Sequence, residues 1–128
     1  MIVVDSNIWI ALLNASDSQH EKATSLFLKI DQEIIVPEYV VLEVCTVLKQ
    51  KKHKSLANRF VEKILSNPDI HLAASGPEHL GVVLDSFCKN EHPQFSFVDV
   101  SLLLLAHSHT VKTFDKKLAM AIKKVGHR

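Results

Sequence analysis

Glycine and proline are scarce, three and four residues in a chain of 128, while 47% of the residues are hydrophobic. That balance excludes collagen-like, low-complexity and largely disordered chains. Cysteine is scarce too. Cys45 and Cys88 each lie in an apolar helical pattern, and two isolated thiols neither staple a fold nor make a zinc site, so both read as buried, reduced residues. No sign of charge dominates: the formal net charge is +1, which rules out a global basic surface for nucleic acid or membrane and leaves polyanion binding to a local site. No apolar run approaches the ~20 residues that span a bilayer, and no basic leader precedes Ile2-Val3-Val4. A cytoplasmic protein without membrane attachment is expected. The length suits one domain, residues 1–128, able to bury about two-thirds of the surface of its unfolded chain.

Short apolar runs alternate with helical patterns along the chain. Ile2 to Val4 suits a buried parallel strand, ended by Asp5-Ser6-Asn7 and followed by a short apolar helix through Ile8, Ile10, Leu12 and Leu13. Ser16 or Asp17 is placed to cap a second helix over residues 21–30, where Ala23, Leu26, Phe27 and Ile30 recur at spacings of three and four. Ile34-Ile35-Val36 is a second strand, and Pro37 is expected at the first position of a helix over 37–50. A helix over 55–65, a strand at 70–72, a helix over 77–88 opened by Pro77, and a helix over 97–107 apolar almost all round come next. A fourth strand over 111–114 and a helix over 116–125 complete the pattern. Alternation of this kind predicts a three-layer α/β/α sandwich around a mostly parallel sheet of four strands, a fifth being left open.

Four carboxylates are placed oddly. Asp5 and Asp115 directly follow the first and last strands, at the sheet edge where ligands of open α/β folds bind. Glu43 shares a helix face with Val40, Val44 and Val47, and Asp99 opens the most apolar helix. Taken singly, Asp5 and Asp115 read as helix N-caps, and Ser96-Phe97-Val98-Asp99 reads as a capping box. Glu43 lacks a cation within a helical turn, since Lys49 and Lys51 lie farther along. Taken together, four acids drawn to one point would repel by about 3 kcal/mol per pair at ~5 Å and an effective dielectric of ~20. A divalent cation resolves that repulsion.

The same residues carry a family resemblance. A strand ending in Asp5-Ser6-Asn7-Ile8, the pair Glu43-Val44, Ser96-Phe97-Val98-Asp99 opening an apolar helix, and Thr113-Phe114-Asp115-Lys116-Lys117-Leu118 resemble, in order and spacing over essentially the whole chain, a PIN-domain protein of the VapBC toxin type. The resemblance implies a PIN-like fold and a metal-dependent endoribonuclease that uses Mg²⁺ or Mn²⁺ to hydrolyse single-stranded or looped RNA to 5′-phosphate and 3′-hydroxyl ends. It implies metal-binding and catalytic roles for Asp5, Glu43, Asp99 and Asp115, with Asn7, Ser96 and Thr113 as polar supports. It also implies a cognate antitoxin and a homodimer. Two features depart from the family: Lys117 stands where many relatives carry a further acid, and the chain ends at Arg128 with little room for a fifth strand. A nuclease without antitoxin and a non-catalytic RNA- or protein-binding module are the alternatives.

Lys49, Lys51, Lys52, Lys54 and Lys117, with Lys123, Lys124 and Arg128, are candidates for holding an RNA backbone, although lysines near helix C-termini also serve simply as solvated complements to the helix dipole. His107 and His109, two apart, do not share a helix face and do not form a metal pair. Trp9 and Phe27 fit either the core or a partner surface, with core favoured.

Overall fold

The computed structural model describes residues 1–126. Four strands, β1 (Ile2–Val4), β2 (Ile34–Pro37), β3 (Ile70–Ala73) and β4 (Thr110–Lys112), form one sheet in the order β3-β2-β1-β4, with every pair parallel. Helices α1 (Ser6–Leu13) and α2 (His20–Leu28) link β1 to β2, and α3 (Glu38–Gln50) and α4 (Lys54–Ser66) link β2 to β3. Return to β4 is by α5 (Pro77–Cys88) and α6 (Phe97–Leu105), and α7 (Lys116–Gly126) follows β4. Helix α1 packs on both α2 and α3, α3 packs on α4, α6 packs on both α5 and α7, and α3 and α6 each also meet the sheet. This is the expected three-layer sandwich with a four-stranded sheet, and the described residues contain no fifth strand.

The core follows from strand alternation. Val3 and Ile35 are register partners and point to one face of the sheet, whereas Ile2, Val4 and Ile34 point to the other. Trp9 is fully buried, its ring 4.9 Å from that of Phe27 and 5.3 Å from that of Phe60. That places Trp9 in the core joining α1, α2 and α4.

Several local expectations need correction. Pro37 is the last residue of β2 and the N-cap of α3, with φ −62° and ψ 148°; its fixed φ serves extended backbone as readily as a first helical turn. Helix α2 begins after Gln19, which makes no side-chain cap, because the Asp17 carboxylate turns instead to the Gln19 backbone N–H at 2.8 Å. Helix α6 stops at Leu105, two residues early, and β4 at Lys112. Cys45 is half-buried and Cys88 exposed, and both are free thiols. The Cys88 position is exposed because α5 buries only a narrow stripe, Val83 and Ser86.

With few glycines available, two helices end on other residues in the left-handed region. After α3, Lys52 has φ 61°, and the His53 N–H reaches back to Leu48 O at 2.8 Å; after α5, Asn90 has φ 54°. Both ends are Schellman turns. Asn tolerates that conformation, while Lys carries the Cβ clash that makes it costly.

Candidate active site at the sheet edge

Asp5 leaves β1 at its carboxyl end and is the N-cap of α1. It is 5% exposed, the one carboxylate in the buried class among the described residues. Its Oδ1 accepts the Ser6 backbone N–H at 2.7 Å, and its Oδ2 accepts the Thr113 hydroxyl at 2.7 Å. Thr113, just past β4, is a hub: its Oγ1 also accepts from Asn7 Nδ2 at 3.2 Å and from the Asp115 backbone N–H at 3.1 Å. One donor and two acceptors are all a hydroxyl offers, so Thr113 is saturated. Asn7 completes the link by accepting the Phe114 N–H at Oδ1, 3.2 Å away. The start of α1 and the loop after β4 are thus tied together by side-chain hydrogen bonds.

Glu43 approaches from α3. The Ser6 hydroxyl donates to its Oε1 and lies 3.4 Å from Asp5 Oδ1. A hydroxyl therefore stands between the two carboxylates, and no Lys or Arg forms an ion pair with either among the described residues. Burial pushes the Asp5 carboxyl above its ordinary value; the Thr113 and Ser6 hydrogen bonds oppose this, and the charges of Glu43 and Asp99 add to it.

Asp99 and Asp115 make local bonds. Asp99 Oδ2 accepts the Ser96 N–H and Ser96 Oγ accepts the Asp99 N–H, both at 3.2 Å, giving the full capping box of α6. Asp115 is exposed, with Oδ1 accepting the Leu118 N–H at 2.9 Å as a cap on α7. Asp99 is near enough to act electrostatically on Asp5, whereas Asp115 is linked to Asp5 through Thr113. The four acids gather at one sheet edge without forming a cage: no three His, Cys, Asp or Glu residues among the described ones are grouped to hold a metal directly. Such a donor set, hard oxygens supplied singly and unneutralised, fits a cation that keeps most of its water, as Mg²⁺ does, and does not fit a structural zinc or a multidentate Ca²⁺ site.

Sequence reasoning missed several neighbours. Tyr39 lies one helical turn before Glu43 on α3, hence on the same face. Burial raises its phenol to about 12, the Ser101 hydroxyl lowering it and the Asp5 charge adding a little. Ser101 is 2% exposed in the leucine-rich α6, with His79 Nε2 2.9 Å from its hydroxyl. A serine inside so apolar a helix was the available signal, since a buried hydroxyl needs a partner. Lys22 of α2 stands 4.8 Å from the Phe114 ring centroid, beside the Asn7 contact. By contrast Lys49 is nearly two turns beyond Glu43, roughly 9 Å along the α3 axis, and Lys51, Lys52 and Lys54 lie farther still; all four are exposed. Lys117, Lys123 and Lys124 are exposed on α7, and Arg128 lies outside the described residues.

No curated protein sequence gives a significant match. The fold is similar to the crystal structure of VapC20 from Mycobacterium tuberculosis, a Sarcin-Ricin loop cleaving toxin, with a TM-score of 0.82 and 19% identity over 94% of this chain and 95% of that one. At that identity the likeness is one of fold. The sequence itself matches the PIN domain profile over residues 2–124, and with the match running from the first strand into the last helix, the chain belongs to the PIN domain family.

Proposed function

We propose that the protein is a metal-dependent endoribonuclease and the toxin of a toxin–antitoxin pair. The observation that carries this reading is Asp5: a buried carboxylate held by two hydrogen bonds, coupled to Glu43 and Asp99, and left without a cationic partner at the ligand-binding edge of a PIN domain. Desolvated negative charge of that kind persists where a cation is to be received. Asp5 and Glu43 would hold the ion, with Asp99 and Asp115 at its periphery; when bound, Mg²⁺ or Mn²⁺ supplies Lewis acidity to a phosphodiester and its attacking water.

The chain's own residues do the positioning. Thr113 and the Ser6 N–H fix both oxygens of Asp5, Ser6 Oγ fixes Glu43, and Asn7 locks the first turn of α1 to the loop after β4. Their side chains are thereby set before substrate arrives, which is what charge stabilisation in a transition state requires. Lys22, Lys116 and Lys117 border this edge and suit the RNA backbone better than the distant Lys49, Lys51, Lys52 and Lys54.

The toxin assignment rests on the likeness to a toxin that cleaves the sarcin–ricin loop, and the cognate antitoxin and homodimer belong to the same proposal. Exposed Leu80, Val82, Leu84 and Phe87 on α5 offer apolar area for self-association, to be read by sedimentation equilibrium. No helix among the described residues is long and apolar enough to cross a membrane, in keeping with action on cytoplasmic RNA. Protein purified free of any partner is expected to cut single-stranded RNA with Mg²⁺ or Mn²⁺ and to stop with EDTA; full activity in EDTA rejects the metal-dependent mechanism. Expression alone is expected to arrest growth, and normal growth despite soluble, folded protein rejects the toxin role.

A further inference from the structure

Helix α5 packs mainly on α6 and stands off the sheet. Beneath it, over β1 and β2, lies an open cleft of about 200 Å³. Ile35 lines it, beside its fully buried register partner Val3, and so do Pro37, Tyr39, Ser75, His79 and His109. We propose that this cleft is a nucleobase subsite: it takes one unpaired base of the RNA strand next to the bond to be cut, against the rings of Tyr39 and His79. The proposal rests on the nuclease reading for its substrate and adds to it a place where sequence is read.

Position comes first. Pro37, Ala73 and Ser75 place one end of the cleft at the carboxyl ends of β2 and β3, and Tyr39 lies one turn before Glu43 on α3, so a strand crossing the acidic edge reaches that end. Size comes next. Drug-sized ligands need roughly 300 Å³ or more, and a smaller cleft suits a single flat ring system. Chemistry then selects the occupant. No Lys or Arg lines the cleft, which disfavours phosphate, whereas the larger cleft between α2 and β4 carries Lys22, Lys29 and Lys112. Apolar lining, the rings of Tyr39, His79 and His109 and the Ser75 hydroxyl match a base, with its apolar faces and hydrogen-bonding edge; unpaired bases of RNA are commonly held by stacking on aromatic side chains.

Ser101 supplies the rigidity. Its hydroxyl lies 2.9 Å from His79 Nε2, while the Tyr39 hydroxyl is buried without a hydrogen-bond partner. One buried serine of α6 thus anchors the His79 ring of α5. Ser101 is a positioning residue, and it explains why a hydroxyl interrupts the leucines of α6.

Two measurements test this. In the first, short single-stranded RNAs carrying 2-aminopurine at successive positions are mixed with the protein in EDTA at low ionic strength, so that binding is read without cutting. Quenching is expected at one position, lost in His79→Ala, retained in His79→Phe and weakened in Ser101→Ala. Absence of quenching at every position, or unchanged quenching in His79→Ala, overturns the proposal whether or not the protein cuts RNA. In the second, cleavage of a library randomised around the cut is compared. His79→Ala is expected to flatten the base preference and raise KM about tenfold with kcat within about twofold. An unchanged preference and KM in a folded, active variant overturns the subsite and leaves the nuclease intact.

Discussion

Two helix starts at the same sheet edge use the same residue types to different ends. At the start of α6, Ser96 and Asp99 bond each other across three residues and nothing farther away. At the start of α1, Asp5 and Thr113 bond across 108 residues, and Thr113 spends its remaining capacity on Asn7 and Asp115. Both pairs are polar supports beside an acid, yet the first is a cap that any isolated helix could make, and the second exists only when β1 and β4 lie side by side. A carboxylate buried by tertiary structure costs stability, whereas a solvated cap contributes it; retention of the former points to function.

The sharpest way to break this contrast is Asp5→Asn. Activity is expected to fall by about a thousandfold, as for loss of a central electrostatic stabiliser, while stability in EDTA stays within about 1 kcal/mol of the parent, one lost hydrogen bond offsetting the relieved desolvation. The pH dependence carries its own sign. Because the folded carboxyl titrates above 3.8, the folded state holds the proton longer, so the parent in EDTA loses stability as pH rises from about 3.8 through the raised value; Asp5→Asn removes that slope. Thermal melts across pH in EDTA check it, and identical slopes would show that folding does not raise the Asp5 carboxyl.

Asp115→Asn ranks next. Asn caps about as well as Asp, so helix α7 should keep its stability while Asp115→Ala loses about 1 kcal/mol. If the carboxylate serves the metal, Asp115→Asn lowers activity about a hundredfold and shrinks the stabilisation by Mn²⁺. Near-equal activity and equal metal-induced shifts would leave Asp115 a cap alone, like the pairing at Ser96.

Thr113→Val tests the hub. Removing the hydroxyl strips Asp5 and Asn7 of partners inside the fold, and a loss of about 2 to 3 kcal/mol is expected in denaturant melts. Ser96→Ala should cost only about 1 kcal/mol. Equal losses would erase the distinction between tertiary and local bonding.

The smallest effect lies away from the edge. Lys52→Gly relieves a left-handed lysine at the end of α3 and should stabilise by up to about 1 kcal/mol. The same variant asks whether Lys52 binds RNA: unchanged KM is expected, given its distance from Glu43, and a several-fold rise in KM would return the α3 lysines to the binding surface.

Much of this was legible in the residues because it depends on neighbours along the chain. Strand and helix alternation, the parallel sheet implied by it, and the capping geometry of Ser96, Asp99 and Asp115 are local properties of pattern and spacing. Asn7 and Thr113 were singled out from the family pattern, but only pairing of β1 with β4 gave them each other as partners. Ser6 between two carboxylates, His79 meeting Ser101, and Lys22 over Phe114 were not legible, since each joins elements far apart in sequence. The sequence by itself determined which elements form and the caps that open α1, α6 and α7, because 3.6- and 2-residue periodicities and short-range hydrogen bonds are written along the chain. Only the tertiary structure decided which carboxylate lost its water, because desolvation depends on what packs around a group: β1 lies between two other strands, and that central position buries Asp5 while Asp115, beyond the edge strand β4, stays in solvent.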